Sequence, residues 1–179
     1  MTKQEEFKEA ITSYNFYLIK KLIKDDEVDP SYDKNWAIRY ASLHGITKVV
    51  ILLIKDPRVN PADYGSTALL EAAEFGYTKI VEILLNDKRA NPSIHHNSAI
   101  RHASEQGSLE IVRLLLEDSR VDPSDSLNLA VRNAYENKHK HILKLLWNDI
   151  RVKNTLRFDD SKIYQELMQK DTIEKLKSF

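Results

Sequence analysis

The chain has 179 residues, with 27 basic side chains, 27 acidic side chains and no cysteine. A net charge of zero creates no field that would attract nucleic acid or an anionic membrane, and the lack of thiols excludes disulfides and thiolate metal sites. The longest apolar run, residues 49–54, is far shorter than the roughly 20 residues of a membrane span, and the N-terminus has no apolar signal segment, so we expect a cytoplasmic protein.

A period of 31 residues runs along the chain. The most visible markers are four prolines, Pro30, Pro61, Pro92 and Pro123. One aligned column holds only alanine, at Ala10, Ala41, Ala72, Ala103 and Ala134. Another column holds only aspartate, at Asp25, Asp56, Asp87, Asp118 and Asp149. Such self-similarity indicates a repeat array in which each unit packs against its neighbours.

Within each period the pattern predicts two short helices joined by a tight turn. Residues 67–76 place small and apolar side chains at helical spacing, and residues 78–87 form a wide apolar face. The turn between the two helices is marked by Gly45, Gly76 and Gly107. Glycine suits a left-handed turn. Tyr14 stands at this position in the first unit, and in the fifth, where Lys138 replaces glycine, we expect the adjacent Asn137 to be left-handed.

The start of each first helix carries a residue typical of N-caps: Asn35, Ser66, Asn97 or Asn128. We expect these side chains to accept the free N–H groups of their own helices. Before each of them lies a recurring six-residue phrase: DDEVDP, DPRVNP, DKRANP or DSRVDP. Its proline is expected to end the second helix and lead into an extended return. The aspartate of the phrase is expected to accept backbone N–H groups in a local turn. An arginine two residues later is expected to bridge neighbouring units, at Arg58, Arg89, Arg120 and Arg151.

Residues 63–85, DYGSTALLEAAEFGYTKIVEILL, resemble the ankyrin repeat. Ten residues match its pattern: Gly65, Thr67, Leu69, Ala72, Ala73, Gly76, Ile80, Val81, Leu84 and Leu85. Ala68, Leu70 and Tyr77 replace the usual proline and two histidines. The recurring phrase is also similar to a repeat variety of large DNA viruses of protists and of some protists.

The resemblance implies an all-α fold, an α-solenoid of stacked helix-turn-helix repeats. Five repeats would occupy residues 1–154, the first as an N-terminal cap, and degenerate capping helices would occupy residues 155–179. The usual ankyrin period is about 33 residues. The shorter period here predicts a tight return without long hairpin strands.

The resemblance also implies a protein–protein interaction module that is not an enzyme, needs no cofactor or metal and acts as a monomer. Partners of ankyrin repeats usually contact the finger tips and the exposed side of the first helices. Carried onto this chain, those positions are Tyr32, Asp33, Asn35, Leu43, His44, Asp63, Tyr64, Glu74, Phe75, Ile94, His95 and Glu105. Tyr64 and Phe75 are the expected anchors, because aromatic side chains are enriched among binding hot spots.

There are four alternatives to this interpretation. Trp36 and Phe75 could seal neighbouring units instead of binding a partner. The column of Arg39, Arg101 and Arg132 could form a basic stripe, although we expect it to make structural bonds between repeats. The segment 155–179 could recruit other machinery, such as a ubiquitin ligase, and make the protein an adaptor. The pair His95–His96 could bind zinc, but no recognised ligand spacing supports this, and surface histidines are expected instead.

Overall fold

In the computed structural model, the backbone of residues 1–176 is described, together with the side chains of residues 1–160 and 162–170. Within residues 1–176 the chain forms twelve helices and no β-strand, which confirms the all-α fold class. The helices are α1 Lys3–Thr12, α2 Phe16–Leu22, α3 Tyr32–Leu43, α4 Thr47–Leu53, α5 Asp63–Glu74, α6 Thr78–Asn86, α7 Ile94–Gln106, α8 Leu109–Glu117, α9 Asp125–Glu136, α10 Lys140–Trp147, α11 Ile150–Asp159 and α12 Ser161–Leu176.

The chain divides into two compact units, Met1–Ile94 and His95–Phe179. In the first unit the helices α1, α3 and α5 stack side by side, and α2, α4 and α6 form a second row. In the second unit α8 packs on α10, α9 packs on α10 and α11, and α11 packs on α12. Each unit therefore buries its core between stacked helix pairs. The expected register is confirmed at Leu84, whose side chain is fully buried.

A turn of three consecutive left-handed residues lies near the start of α3, α5, α7 and α9. In α3 these residues are Asp33, Lys34 and Asn35, with φ angles of 54°, 55° and 56°. The equivalent turns span residues 64–66, 95–97 and 126–128. Left-handed backbone costs about 1–2 kcal/mol for each residue other than glycine. These turns replace the hairpin strands of longer fingers, as the short period predicts.

The side chain at the end of each left-handed turn bonds to the next repeat. Asn35 Oδ1 accepts the backbone N–H of Asn60 at 2.8 Å, and Asn35 Nδ2 donates to Asp63 Oδ2 at 2.7 Å. Ser66 Oγ accepts the N–H of Asn91 at 2.9 Å in the same way. The prediction that this column caps its own helices was wrong. Its members instead satisfy N–H groups of the following return loop, which would otherwise be buried without a partner.

The aspartate–arginine phrase ties three return loops, at Arg58, Arg89 and Arg151, to the preceding repeat. Asp56 Oδ1 accepts the backbone N–H of Arg58 at 3.0 Å and its Nε–H at 2.9 Å. The guanidinium also donates to the carbonyl groups of Val28 at 2.9 Å and Ile23 at 2.7 Å. Arg89 and Arg151 likewise donate to carbonyl oxygens 30 residues earlier. The prediction for the arginine is confirmed at Arg58, Arg89 and Arg151, and the prediction for the aspartate is confirmed at Asp56 and Asp149. The Arg58 side chain holds the pKa of Asp56 below its usual value.

The turn between the paired helices requires glycine where the next repeat approaches closely. Gly45 has a φ of +68°, and a Cβ atom there would lie 2.5 Å from a ring carbon of Tyr77. In the fifth repeat Lys138 itself takes the left-handed conformation, with φ of 62°, while Asn137 stays at −84°. The prediction for Asn137 was wrong, because register within the turn, and not residue preference, selects the left-handed position.

The last repeat ends differently from the others. Position 154 is asparagine instead of proline, and α11 continues as a helix through the predicted boundary between residues 154 and 155. Thr155 and Asp159, both on α11, accept the side-chain amide of Asn128 at 2.9 Å and 2.7 Å. The helix α11 therefore takes the place of a further return loop as the hydrogen-bonding partner of Asn128. Residues 177–179 of the predicted cap lie outside the described residues.

Candidate protein-binding surface

The left-handed turns and first helices of the first unit present several large side chains to solvent. Tyr32 is 59 % exposed, Tyr64 is 60 % exposed and Phe75 is 54 % exposed. Tyr32 directly precedes the left-handed turn of its repeat, Tyr64 begins the turn of the next repeat, and Phe75 is the C-cap of α5. None of the three fills the core between helices. We call Tyr32, Tyr64 and Phe75 the aromatic triad.

Tyr64 is held in place by two cations of the preceding repeat. The Arg39 guanidinium carbon lies 4.8 Å from the ring centre, and Lys34 Nζ lies 5.0 Å from it. Arg39 is itself fixed, because its Nε donates to the carbonyl of Lys34 at 3.0 Å and its second terminal nitrogen donates to that of Asp33 at 3.1 Å. Cation–π contacts of this kind restrain an exposed ring. Tyr64 is therefore exposed and also preorganised.

The arginines of the Arg39 column make structural hydrogen bonds, but two of them bond within their own repeat and not between repeats as expected. Arg39 and Arg101 both donate to two carbonyl groups of the left-handed turn in their own repeat. Arg132 differs, and donates to the backbone carbonyl of Asp159 at 3.0 Å. Bonds between repeats are thus shown only for Arg132. For Arg39 and Arg101 the prediction was wrong. Their guanidinium groups donate to carbonyl groups of their own left-handed turn, since backbone carbonyl groups need hydrogen-bond donors.

An aromatic row lies along α3. The rings of Trp36 and Tyr40 have centroids 4.9 Å apart, and the rings of Tyr40 and His44 stack at 4.0 Å. Lys8 Nζ lies 4.8 Å from the Trp36 ring, which is half-buried. Trp36 thus helps to seal the first repeat. His44 at the far end of the row is exposed, and Leu43 beside it is half-buried.

A cleft of about 360 Å³ opens next to this row. Its walls include Phe7 and Lys8 from α1 and Pro30, Tyr32 and Trp36 from the first return and α3. Carboxylates of Glu5, Asp29 and Asp33 also line it. The cleft therefore offers apolar walls with a largely acidic rim beside one member of the aromatic triad.

Glu71 and Glu74 add negative charge to α5 near Phe75. Burial raises the pKa of Glu71, although the positive charge of Arg39 opposes the shift. Glu71 Oε2 is buried and has no hydrogen-bond partner within the described residues. Glu74 is exposed. This edge of the surface consequently combines an aromatic ring with carboxylates.

Two residues predicted to contact a partner instead use their side chains for hydrogen bonds that join neighbouring repeats. Asn35 is only 2 % exposed, and both ends of its amide bond to the next repeat. Asp63 accepts from Asn35 and, through Oδ1, from Asn60 Nδ2 at 2.8 Å. Ile94, which occupies the position of Asp63 one repeat later, is half-buried. The side chains of Asn35 and Asp63 therefore lie below the surface that the aromatic triad presents.

The second unit carries the remaining predicted positions, His95 and Glu105, and both are exposed. His95 lies in a left-handed turn whose carbonyl groups are bonded by Arg101. The neighbouring His96 Nδ1 lies 3.8 Å from Asp125 Oδ1. Among the described residues no group of three histidine, aspartate or glutamate side chains is arranged to hold a metal ion.

Three aromatic residues that were not among the predicted binding positions are exposed at the turn between α1 and α2: Tyr14, Phe16 and Tyr17. Tyr14 has a φ of 58° at the position of the turn glycine. Phe16 and Tyr17 replace the threonine–lysine pair found in the next two repeats. A comparison of the variable columns of the second helices would have found them.

Stacked helix pairs, left-handed turns and a fixed period define this chain as a helical repeat protein. A family model of ankyrin repeats in three copies matches residues 7–96, half of the chain, and the chain belongs to the ankyrin repeat family. The ankyrin repeat is a non-catalytic fold that generally mediates protein–protein interaction. The chain has no match among curated protein sequences. Within the described residues no helix is long and apolar enough to cross a membrane.

Proposed function

We propose that the chain, as a monomer, binds a partner protein through the aromatic triad of its first unit. The observation that carries the proposal is the state of Tyr64, which is exposed yet restrained by cation–π contacts with Lys34 and Arg39. Binding costs free energy when flexible side chains become ordered. A ring that is already ordered avoids much of that cost, as rigid aromatic anchors do in other binding surfaces.

The chemistry around the triad indicates what the partner presents. Tyr64 lies among the positive charges of Lys34 and Arg39, whereas Phe75 lies near the carboxylates of Glu71 and Glu74. A partner with apolar contacts flanked by one acidic and one basic group would match both edges. The cleft beside Tyr32 supplies a place for a protruding side chain of the partner, which is how hot-spot residues commonly dock.

Affinity purification from the native host, followed by titration of the purified partner, tests the proposal. Truncation of a hot-spot side chain commonly costs about 2 kcal/mol, which corresponds to roughly a thirtyfold loss of affinity. We expect losses of that size for Tyr64→Ala and Phe75→Ala. Folding should be nearly unchanged, because neither side chain lies in the core.

Two controls keep the experiment specific. Phe158→Ala removes an aromatic side chain that is 76 % exposed on α11, and Glu82→Ala changes the second helix row through α6. Both variants should bind like the parent. Normal binding by both triad variants together with weak binding by Glu82→Ala would place the recognition surface on the second helices and refute the proposal. If Phe75→Ala unfolds the protein, Phe75 stabilises the packing of neighbouring repeats and is not a binding residue.

The adaptor role of segment 155–179 is a second proposal, favoured by the exposure of Phe158 on α11. Removal of the segment is a poor test, because a cut after residue 154 would divide α11 and remove the groups that bond Asn128. Phe158→Ala is the sharper variant. Loss of ligase subunits from the purified complex, with the target protein retained, would support the adaptor role, and unchanged recovery of those subunits would contradict it.

A further inference from the structure

The outer faces of α2 and α4 carry a concentration of lysines. α2 and its C-terminal turn place Tyr17, Lys20, Lys21 and Lys24 at helical spacing on the side opposite the buried residues Ile19 and Leu22. α4, which packs beside α2, presents its own exposed residues in the same way: Lys48, Ile51 and Lys55. We call the surface formed by these seven residues the lysine face.

The lysine face has no acidic residue within its own segments. Residues 13–24 and 45–55 contain neither aspartate nor glutamate. By contrast, lysines at its borders are paired, Lys3 with Asp25 at 2.9 Å and Lys79 with Glu82 at 2.7 Å. No hydrogen bond or ion pair of the five lysine side chains is found among the described residues. The exposed acids Asp26 and Glu27 follow the face at one end.

The zero net charge of the chain conceals this local charge. Charges more than about 8 Å apart are largely screened at physiological ionic strength. Distant carboxylates therefore do little to offset the five lysines. The adjacent Asp25 and Asp56 are themselves paired with Lys3 and Arg58. A net charge of zero therefore does not exclude an anionic surface as a partner of the lysine face.

Exposed aromatic and aliphatic side chains accompany the lysines. Tyr17 is 81 % exposed, and Tyr14, Phe16 and Ile51 are also exposed. Tyr14 and Phe16 lie next to Tyr17 at the start of α2. Amphipathic rings beside lysines are typical of surfaces that lie at the boundary between lipid headgroups and acyl chains.

We propose that the lysine face binds the surface of an anionic lipid bilayer, so that the protein lies on a membrane without spanning it. Two features favour a bilayer over a polyanionic chain. The face contains lysine and no arginine, and lysine acts as a point charge without the forked geometry that grips an individual phosphate. The 360 Å³ cleft of this unit is lined by other elements, whereas proteins that bind single-stranded nucleic acid follow the strand with a groove.

Flotation of the full chain with lipid vesicles tests the proposal. One vesicle is pure phosphatidylcholine, and the other contains about one-third phosphatidylserine. We expect binding to the anionic vesicle alone, with a decrease as salt is added. Each lysine removed should weaken binding about fivefold, so Lys20→Gln with Lys21→Gln should weaken it roughly thirtyfold. Tyr17→Ser should weaken it further through the loss of the interfacial ring.

The matched control is Lys140→Gln with Lys162→Gln, which removes the same charge from exposed positions on α10 and α12. This variant should bind like the parent. Equal binding to both vesicles, no binding to either, or equal weakening by the control variant would overturn the proposal. Labelled duplex DNA and polyglutamate are titrated at the same ionic strength. Tighter binding to either one than to anionic vesicles would assign the face to nucleic acid or to an acidic protein.

Discussion

Arg39 closes the left-handed turn at the start of α3, and Arg39→Ala measures what that closure contributes to stability. The variant loses two charge-assisted hydrogen bonds, to the carbonyl groups of Lys34 at 3.0 Å and Asp33 at 3.1 Å. Such bonds contribute about 1.5–3 kcal/mol each in protected sites. Lys34 and Asp33 are exposed, so water can replace part of the loss. We therefore expect a destabilisation of about 1–2 kcal/mol for the variant.

The repeats themselves suggest the compensating change. The third repeat has Gly65 in the middle of its turn, where left-handed backbone costs little, and Leu70 in place of the arginine. The first turn has Lys34 at that position and requires Arg39. Lys34→Gly should remove about 1 kcal/mol of backbone strain and recover a similar part of the stability lost in Arg39→Ala.

Urea unfolding followed by circular dichroism and tryptophan fluorescence provides the measurement. Lys48→Ala is a neutral control in the same unit, because its exposed side chain has no partner among the described residues. Arg39→Lys keeps the charge near Tyr64 but cannot reach both carbonyl groups, so it should lie between the parent and Arg39→Ala. An Arg39→Ala midpoint equal to that of the parent, or a double variant no more stable than Arg39→Ala, would refute the reasoning.

Three further changes probe the packing and electrostatics of the first unit. Leu84→Ala empties a fully buried site and should lower the free energy of unfolding by about 2–5 kcal/mol, measured in urea. Gly45→Ala should cost about 2 kcal/mol or more, measured by thermal unfolding, because a Cβ atom there meets Tyr77 and the backbone is left-handed. Burial raises the pKa of Glu71, so its contribution to stability falls as the pH rises through that raised value. Glu71→Gln should therefore raise the urea midpoint at neutral pH and bring no gain below the ordinary glutamate value of 4.5.

Each of these changes has an outcome that contradicts its premise. An unchanged unfolding midpoint for Leu84→Ala would show that the repeat register is misplaced. If Tyr77→Ser fails to reduce the cost of Gly45→Ala, the close approach of the ring is not its cause. A gain for Glu71→Gln that is independent of pH would show that folding does not shift the pKa of this carboxyl group.

The sequence alone determined the repeat, its paired helices and the roles of its most regular residues. The apolar spacing of Ile80, Val81 and Leu84 is a local property of a helix with 3.6 residues per turn, so it can be inferred without neighbours. The same holds for the aspartate turn at Asp56, where the bonded groups are two residues apart. Resemblance to the ankyrin pattern added the stacking direction and the positions where partners usually bind.

Which side chains join the repeats and which reach solvent depends on how the repeats pack together. Asn35 reads as a helix cap in the sequence, yet its bonds join groups 25 and 28 residues away, and such pairs form only after repeats stack in register. The exposed ring of Tyr64 is similarly restrained because stacking places Arg39 beside it. The lysine face is dispersed over two periods of the sequence and becomes continuous when α4 packs beside α2. Contacts between repeats depend on register and burial, which are properties of the assembled stack and not of any single repeat.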